Sequence, residues 1–362
     1  MRATRPLALP VLLAVLLVTA SAAQARGHHG RHHGKGRTVF VGPGESIQAA
    51  VDAAKPGTTI KVFGHHSENV AITTDRISLV GVHAVLEPAA TPIQNACFDP
   101  ANPTDINGIC VLGDVDFSTG EVKREVRGVT VVGFTIRGFS DSGIIAVGAQ
   151  DATFAGNVAD DNDEYGITAF SSTGTKMLYN RASGAGEAGF YIGDSPRANA
   201  KLVGNVSTDS LFGVLVRNAE HGFLKRNRIY GNCVGVVVLA DAPGPAGFFR
   251  LIRNAIVKNT KACPASEDSS VPVSGIGVAL VGATGVRITG NAIVGNQPSG
   301  ETAFQGGVVV VKGDLGTVPT NNHVHGNLIV RNDPDIFWDG SGTGNSFRGN
   351  RCDTSVPSGF CR

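Results

Sequence analysis

Three acidic residues, Asp141, Glu164 and Glu187, each stand two positions before a glycine (Gly143, Gly166 and Gly189) and 23 residues apart along the chain. Asp160, Asp161 and Asp163 crowd beside the middle one. If successive repeats stack at strand spacing, these carboxylates lie roughly 5 Å apart and each neighbouring pair repels by around 1 kcal/mol in water. Such a column stays wet, shares protons or holds a cation. Oxygen donors suit calcium, with Asp161, Asp163 and Glu164 as the candidate ligands. Paired carboxylates are also what glycoside hydrolysis uses, which makes Asp141, Glu164 and Glu187 the candidate catalytic residues. An acidic, solvated turn explains the same residues without any chemistry, because turns accept Asp for backbone reasons.

Repetition must position them. Asn returns at 157, 180, 205, 227, 254, 291, 327 and 350, and a second Asn follows five residues later at 162, 232, 259, 296 and 332. After each turn comes a glycine-led apolar strand, beginning at Gly143, Gly166, Gly189, Gly213, Gly235, Gly277 and Gly307. A period of this size belongs to solenoids. Val, Ile and Gly dominate, which favours an all-β coil over a leucine-rich one with a helix in each repeat. Asn suits the turn because its amide bonds local backbone and it tolerates the left-handed region.

Counting from each leading glycine, positions one and three are apolar in every coil and point inward. Positions two and four face out, and they place Phe170, Tyr191 and Arg217 as candidate substrate-binding residues on one wall. A six-residue offset along a strand sets Arg217 about 20 Å from the acidic row, where it would touch a neighbouring sugar unit. Toward the C-terminus this outer wall is apolar enough to need cover. Insertions at 261–275 and 297–306, with loops at 241–248 and 313–321, are placed to wall a groove.

These strands and Asn rows resemble the right-handed parallel β-helix repeat proteins of the pectin-lyase-like fold, across nearly all of the chain after residue 37. The resemblance implies a single all-β solenoid domain and a polysaccharide or cell-surface glycan as partner. It also implies calcium-binding Asp residues with Arg or Lys near the sugar, as in the pectate lyases. The segment GHHSENV (64–70) resembles the G-x-Y-x-E-x-V that opens many such proteins and marks the first coil. The N-T-D, G-D-D, G-H-G and R-I-K motifs of polygalacturonase-like hydrolases are missing in the required arrangement. Asp333-Pro334-Asp335 has Asp where the D-P-H of mannuronan epimerases has His. Two classes of function follow: a calcium-assisted lyase or glycoside hydrolase acting on an acidic glycan, or a non-catalytic extracellular binding or structural protein.

The chain opens on an expected export signal over residues 1–25, with Arg2 and Arg5 before an apolar core and Ala23-Gln24-Ala25 as the cleavage site. Residues 26–37 are expected to be a disordered His, Gly and basic tail, and 38–362 the β-helix domain. Residues 1–37 carry six cations and no acid, which with an overall charge of +1 leaves the remainder at −5. That balance predicts no folded basic patch and no nucleic-acid partner, and no stretch after the signal is apolar enough to span a membrane. Ser46 as N-cap and Ile47, Ala50, Val51 and Ala54 at amphipathic spacing predict a helix that covers the open end of the solenoid. Phe337, Trp338 and Phe347 are expected to cap the other end. Six cysteines in an exported chain predict disulfides, paired by nearest neighbour as Cys97–Cys110, Cys233–Cys263 and Cys352–Cys361.

Overall fold

The computed structural model describes residues 37–100, 102–116, 119–241, 244–266 and 268–361. The expected export signal and all but the last residue of the basic tail lie outside them. The described chain is a stack of coils, each built from three short strands. One coil runs through Thr153–Ala155, Val158–Asp160 and Tyr165–Phe170, and the next through Lys176–Leu178, Arg181–Ser183 and Ala188–Ser195. Each strand pairs in parallel with its counterpart one coil on, as in Phe154↔Met177, Ala159↔Ala182 and Ile167↔Phe190. The alternation of side chains across a strand then sends one column of each face into the bore. Phe154, Ala159, Ile167, Ala169, Phe190 and Ile192 belong to that continuous apolar core.

At the first corner of each coil the eight Asn residues form one ladder. Asn157 Nδ2 donates to Asn180 Oδ1 (3.1 Å), Asn180 to Asn205 (3.1 Å), Asn205 to Asn227 (3.0 Å), and the row continues to Asn350. The second hydrogen of each amide meets a backbone carbonyl of the preceding coil, such as Met177 O for Asn205 (2.8 Å). A second ladder joins Asn232, Asn259, Asn296 and Asn332 through 2.9 Å bonds. It also explains the leading glycines. A Cβ on Gly213 would lie 2.8 Å from Asn232 Nδ2, and one on Gly307 would lie 2.7 Å from Asn332 Nδ2. Gly143, Gly235 and Gly277 likewise leave space for an Asn amide of the following coil, whereas Gly166 and Gly189 leave it for Ala182 and Ser207.

A helix, Ile47–Asp52, covers the N-terminal end of the bore, with Ile47 and Val51 buried. Ser46 caps it by accepting from Ala49 N (3.2 Å), and the Glu68 carboxylate accepts from Ile47 N (2.7 Å) and Gln48 N (3.0 Å). At the other end Trp338, Phe347 and Phe360 pack together against the core. Phe337 takes a different place from the one expected, packing outside the bore beneath the outer wall, because it alternates with Trp338 on the same strand. The three disulfides have the expected pairing. One expectation from net charge fails: strands on the face opposite the glycine-led wall carry an exposed row of cations, although the folded body as a whole is acidic.

Candidate functional site

The glycine-led strands form one wall of the solenoid, and their outward side chains are largely out of water. Tyr191, Leu215, Val237, Ala279 and Val309 are buried in a second apolar layer outside the bore. The predicted insertions supply the cover. Cys263 and Val273 exchange two backbone bonds of 3.0 Å, Ala303 N donates to Pro272 O (2.9 Å), and Cys233–Cys263 fastens the first insertion to the strand edge. On the opposite edge Thr317 Oγ1 reaches Ala240 O (2.8 Å). Between these walls lies a cleft of about 230 Å³. Leu215, Val237 and Ala279 line it with Val271, Val273 and Phe304 from the insertions, and polar groups enter at both ends, with Lys312 and Asp314 at one.

The other end gathers Glu187, Phe170, Tyr191 and Arg217, four of the predicted site residues, together with Tyr165. The Tyr165 hydroxyl donates to Glu187 Oε2 at 2.5 Å in a buried setting. Tyr165, Phe170 and Tyr191 pack as an aromatic trio, with ring centroids 4.8 Å apart for Phe170 and Tyr191 and 4.9 Å for Tyr165 and Tyr191. Arg217 is clamped by Asp241, which accepts from Nη2 at 2.6 Å and Nε at 3.2 Å. The expected 20 Å between Arg217 and the acidic row is a distance along the backbone, and side chains shorten it. Tyr191 leans along its strand over Gly193, where a Cβ would stand 2.7 Å from its hydroxyl oxygen. Gly193 is the register partner of Arg217, so the phenol reaches the guanidinium and lies within the field of Glu187 as well.

Burial raises the Tyr165 phenol well above its ordinary value, and the Glu187 charge adds to the effect. Burial likewise raises Tyr191, with the Asp194 charge adding and Arg217 opposing. Both phenols are therefore hydrogen-bond donors at any ordinary pH. Burial works against the charge on Arg217, but Tyr191 and Asp241 more than restore it.

The acidic row exists as a backbone column: Glu164 N donates to Asp141 O (3.1 Å) and Glu187 N to Glu164 O (2.9 Å). Its side chains have different surroundings. Asp141 accepts from Ser142 Oγ (2.8 Å) and Asn107 Nδ2 (3.3 Å), Glu164 is half-buried, and Glu187 is 8% exposed. Only Glu187 of the three lines the cleft. Asp161 and Asp163 are exposed turn residues beyond its edge. Among the described residues no three His, Cys, Asp or Glu side chains are grouped to hold a metal ion.

Tyr165 and Asp241 were absent from the predicted set. Tyr165 occupies the position just before the leading glycine, which also faces the cleft in other coils as Phe212, Val234 and Ile276. Recurrence of large apolar or aromatic residues at that position is the signal that would have found it.

A model described as "Periplasmic copper-binding protein (NosD)" matches residues 114–270. No curated protein sequence matches the chain. Among solved structures, the Dettilon tailspike protein (gp208) is similar at 12% identity and a TM-score of 0.54, covering 86% of this chain and 66% of that one. This chain thus spans 66% of the tailspike's length. Pectate lyase Pel9A gives 12% identity and 0.52, with 89% and 81% covered. The periplasmic alginate epimerase AlgG gives 14% identity and 0.50, with 87% and 81% covered. Likeness at these identities establishes the fold. The chain is a right-handed parallel β-helix.

Proposed function

We propose that this is an exported β-helix protein that binds an acidic polysaccharide, seating one sugar unit in the cleft on its glycine-led face. The observation that carries this reading is the convergence of Tyr165, Phe170, Glu187, Tyr191 and Arg217 on one end of a single walled cleft. At about 230 Å³ the cleft is smaller than a drug-sized pocket and suits one ring. Its apolar lining offers a surface to the C–H face of a pyranose. Asp241 engages Nε and Nη2 of Arg217 and the Tyr191 phenol takes a further donor, so of its five N–H groups the guanidinium keeps some to offer a sugar carboxylate. Two similar solved structures are a pectate lyase and an alginate epimerase by name, which supports a polysaccharide as the partner. Three disulfides support export. Among the described residues no helix is long and apolar enough to cross a membrane.

The buried Tyr165–Glu187 bond favours a second, catalytic reading. In it Glu187 is the proton-transfer group and the Tyr165 phenol positions its carboxylate. Calcium, expected at Asp161, Asp163 and Glu164, has no such group of side chains to hold it among the described residues, and neither reading is routed through it. A copper-binding reading, suggested by the matching family description, finds no ligand cluster among the described residues. The histidines at 28, 29, 32 and 33 lie outside them.

Calorimetry with trigalacturonate, its methyl ester and a neutral trisaccharide, each with and without calcium, tests the proposal. The acid form should bind most tightly, and Arg217→Ala should weaken it by roughly tenfold, the loss of a charge-assisted hydrogen bond. Equal binding of the ester, or no effect of Arg217→Ala, would contradict it. Unsaturated products or new reducing ends that vanish in Glu187→Gln, with binding retained, would establish the catalytic reading.

A further inference from the structure

The face opposite the cleft carries a column of cations that the cleft does not use. Lys176, Lys201, Phe223, Arg250, Arg287 and His323 share one register position on successive coils. Their chain neighbours Met177, Leu202, Leu224, Leu251, Ile288 and Val324 fill the bore, so this column points to solvent, and Lys201, Arg250 and Arg287 are exposed. The adjacent outward column, two residues further along each strand, adds Lys225 and no acid on these coils. Among the described residues the sole ion pair in the main column is Lys176 with Asp151 at 3.8 Å.

Like charges directly opposite on paired strands destabilise a sheet. Lys176 over Lys201, and Arg250 over Arg287, each place two cationic residues on backbones about 5 Å apart. The folded body is net acidic, so acids were available to break up the row and are absent from it. A linear anion laid along the solenoid axis would relieve the repulsion coil by coil. We infer that this column is a binding track for an acidic polysaccharide, a single extended chain bearing one carboxylate or sulfate per sugar unit. A nucleic acid fits less well. Single-strand platforms pair a basic groove with repeated aromatic stacking faces, and this row has one partly buried phenyl ring, Phe223. A duplex is read by an element that enters its groove, which a flat sheet face does not supply.

The test uses the folded chain with a hexagalacturonate, the fully methyl-esterified hexamer and an oligothymidylate of similar length. The variants are Lys201→Gln/Arg250→Gln/Arg287→Gln for the track and Arg217→Ala for the cleft, with circular dichroism to check folding. Track binding releases counterions, so hexagalacturonate affinity should fall by roughly tenfold or more between 50 and 200 mM salt. The triple variant should lose most of that salt dependence and about tenfold in affinity at low salt, whereas Arg217→Ala should keep the salt dependence. An unchanged salt slope in the triple variant, equal binding of the esterified hexamer, or tighter binding of the oligothymidylate would each overturn the inference. Loss of all binding in Arg217→Ala alone would overturn the track and leave the cleft reading standing.

Discussion

At the scale of single residues, the solenoid depends on amides that satisfy four groups at once. Asn205 donates to Asn227 Oδ1 and Met177 O, and its own oxygen accepts from Asn180 Nδ2 and Asn180 N. Asn205→Ala strands all of these partners in the interior and should cost about 3 kcal/mol, measured by urea unfolding. A change below about 0.5 kcal/mol would mean that the ladder bonds are replaceable by water. A titratable residue gives a second check. His325 shares the Ser346 hydroxyl with His323, each ring nitrogen 2.8 Å from the same oxygen. Burial lowers the His325 pKa, and the charges of His323 and Arg348 lower it further. A depressed folded value contributes stability above the unfolded value of about 6.5, and this is lost as pH falls toward the folded value. The melting temperature should therefore decline from pH 7.5 to 5.5, and His325→Gln should flatten part of that decline. An identical pH profile in the variant would show that His325 titrates as it does in the unfolded chain.

At the scale of elements, the cleft exists because insertions cover an outer wall that would otherwise expose apolar side chains. Their shared anchor is Cys233–Cys263, which closes a loop with a sequence separation of 30. Removing it by Cys233→Ser/Cys263→Ser should cost about 3 kcal/mol. The loop around 264–275 should also become cleavable by protease while the coils stay folded. Cleavage of the whole chain at the same rate would instead make this disulfide a global clamp. The wall, its cover and the disulfide were all legible in the sequence, because alternation along each glycine-led strand separates bore from exterior and the insertions interrupt a regular period. The Tyr165–Glu187 pair was not. Its members lie on adjacent coils, and their contact depends on how far each side chain leans along the wall, which spacing does not encode.

At the scale of the whole molecule, stacking converts distant residues into rows. The Asn rows were readable because one residue type recurs in a fixed local context. The cationic row was not, because Lys176, Lys201, Arg250 and Arg287 are separated by loops of unequal length and differ in type, so net charge concealed them. The molecule thus presents two long faces: a walled apolar cleft with an acid, two phenols and an arginine at one end, and a bare row of cations behind it. The account turns on the claim that the cleft seats an acidic sugar. A crystal structure of the protein soaked with trigalacturonate tests this most directly. It should show a sugar ring in the cleft with its carboxylate within hydrogen-bond distance of the Arg217 guanidinium. An empty cleft at saturating ligand, or sugar density confined to the cationic face, would contradict it.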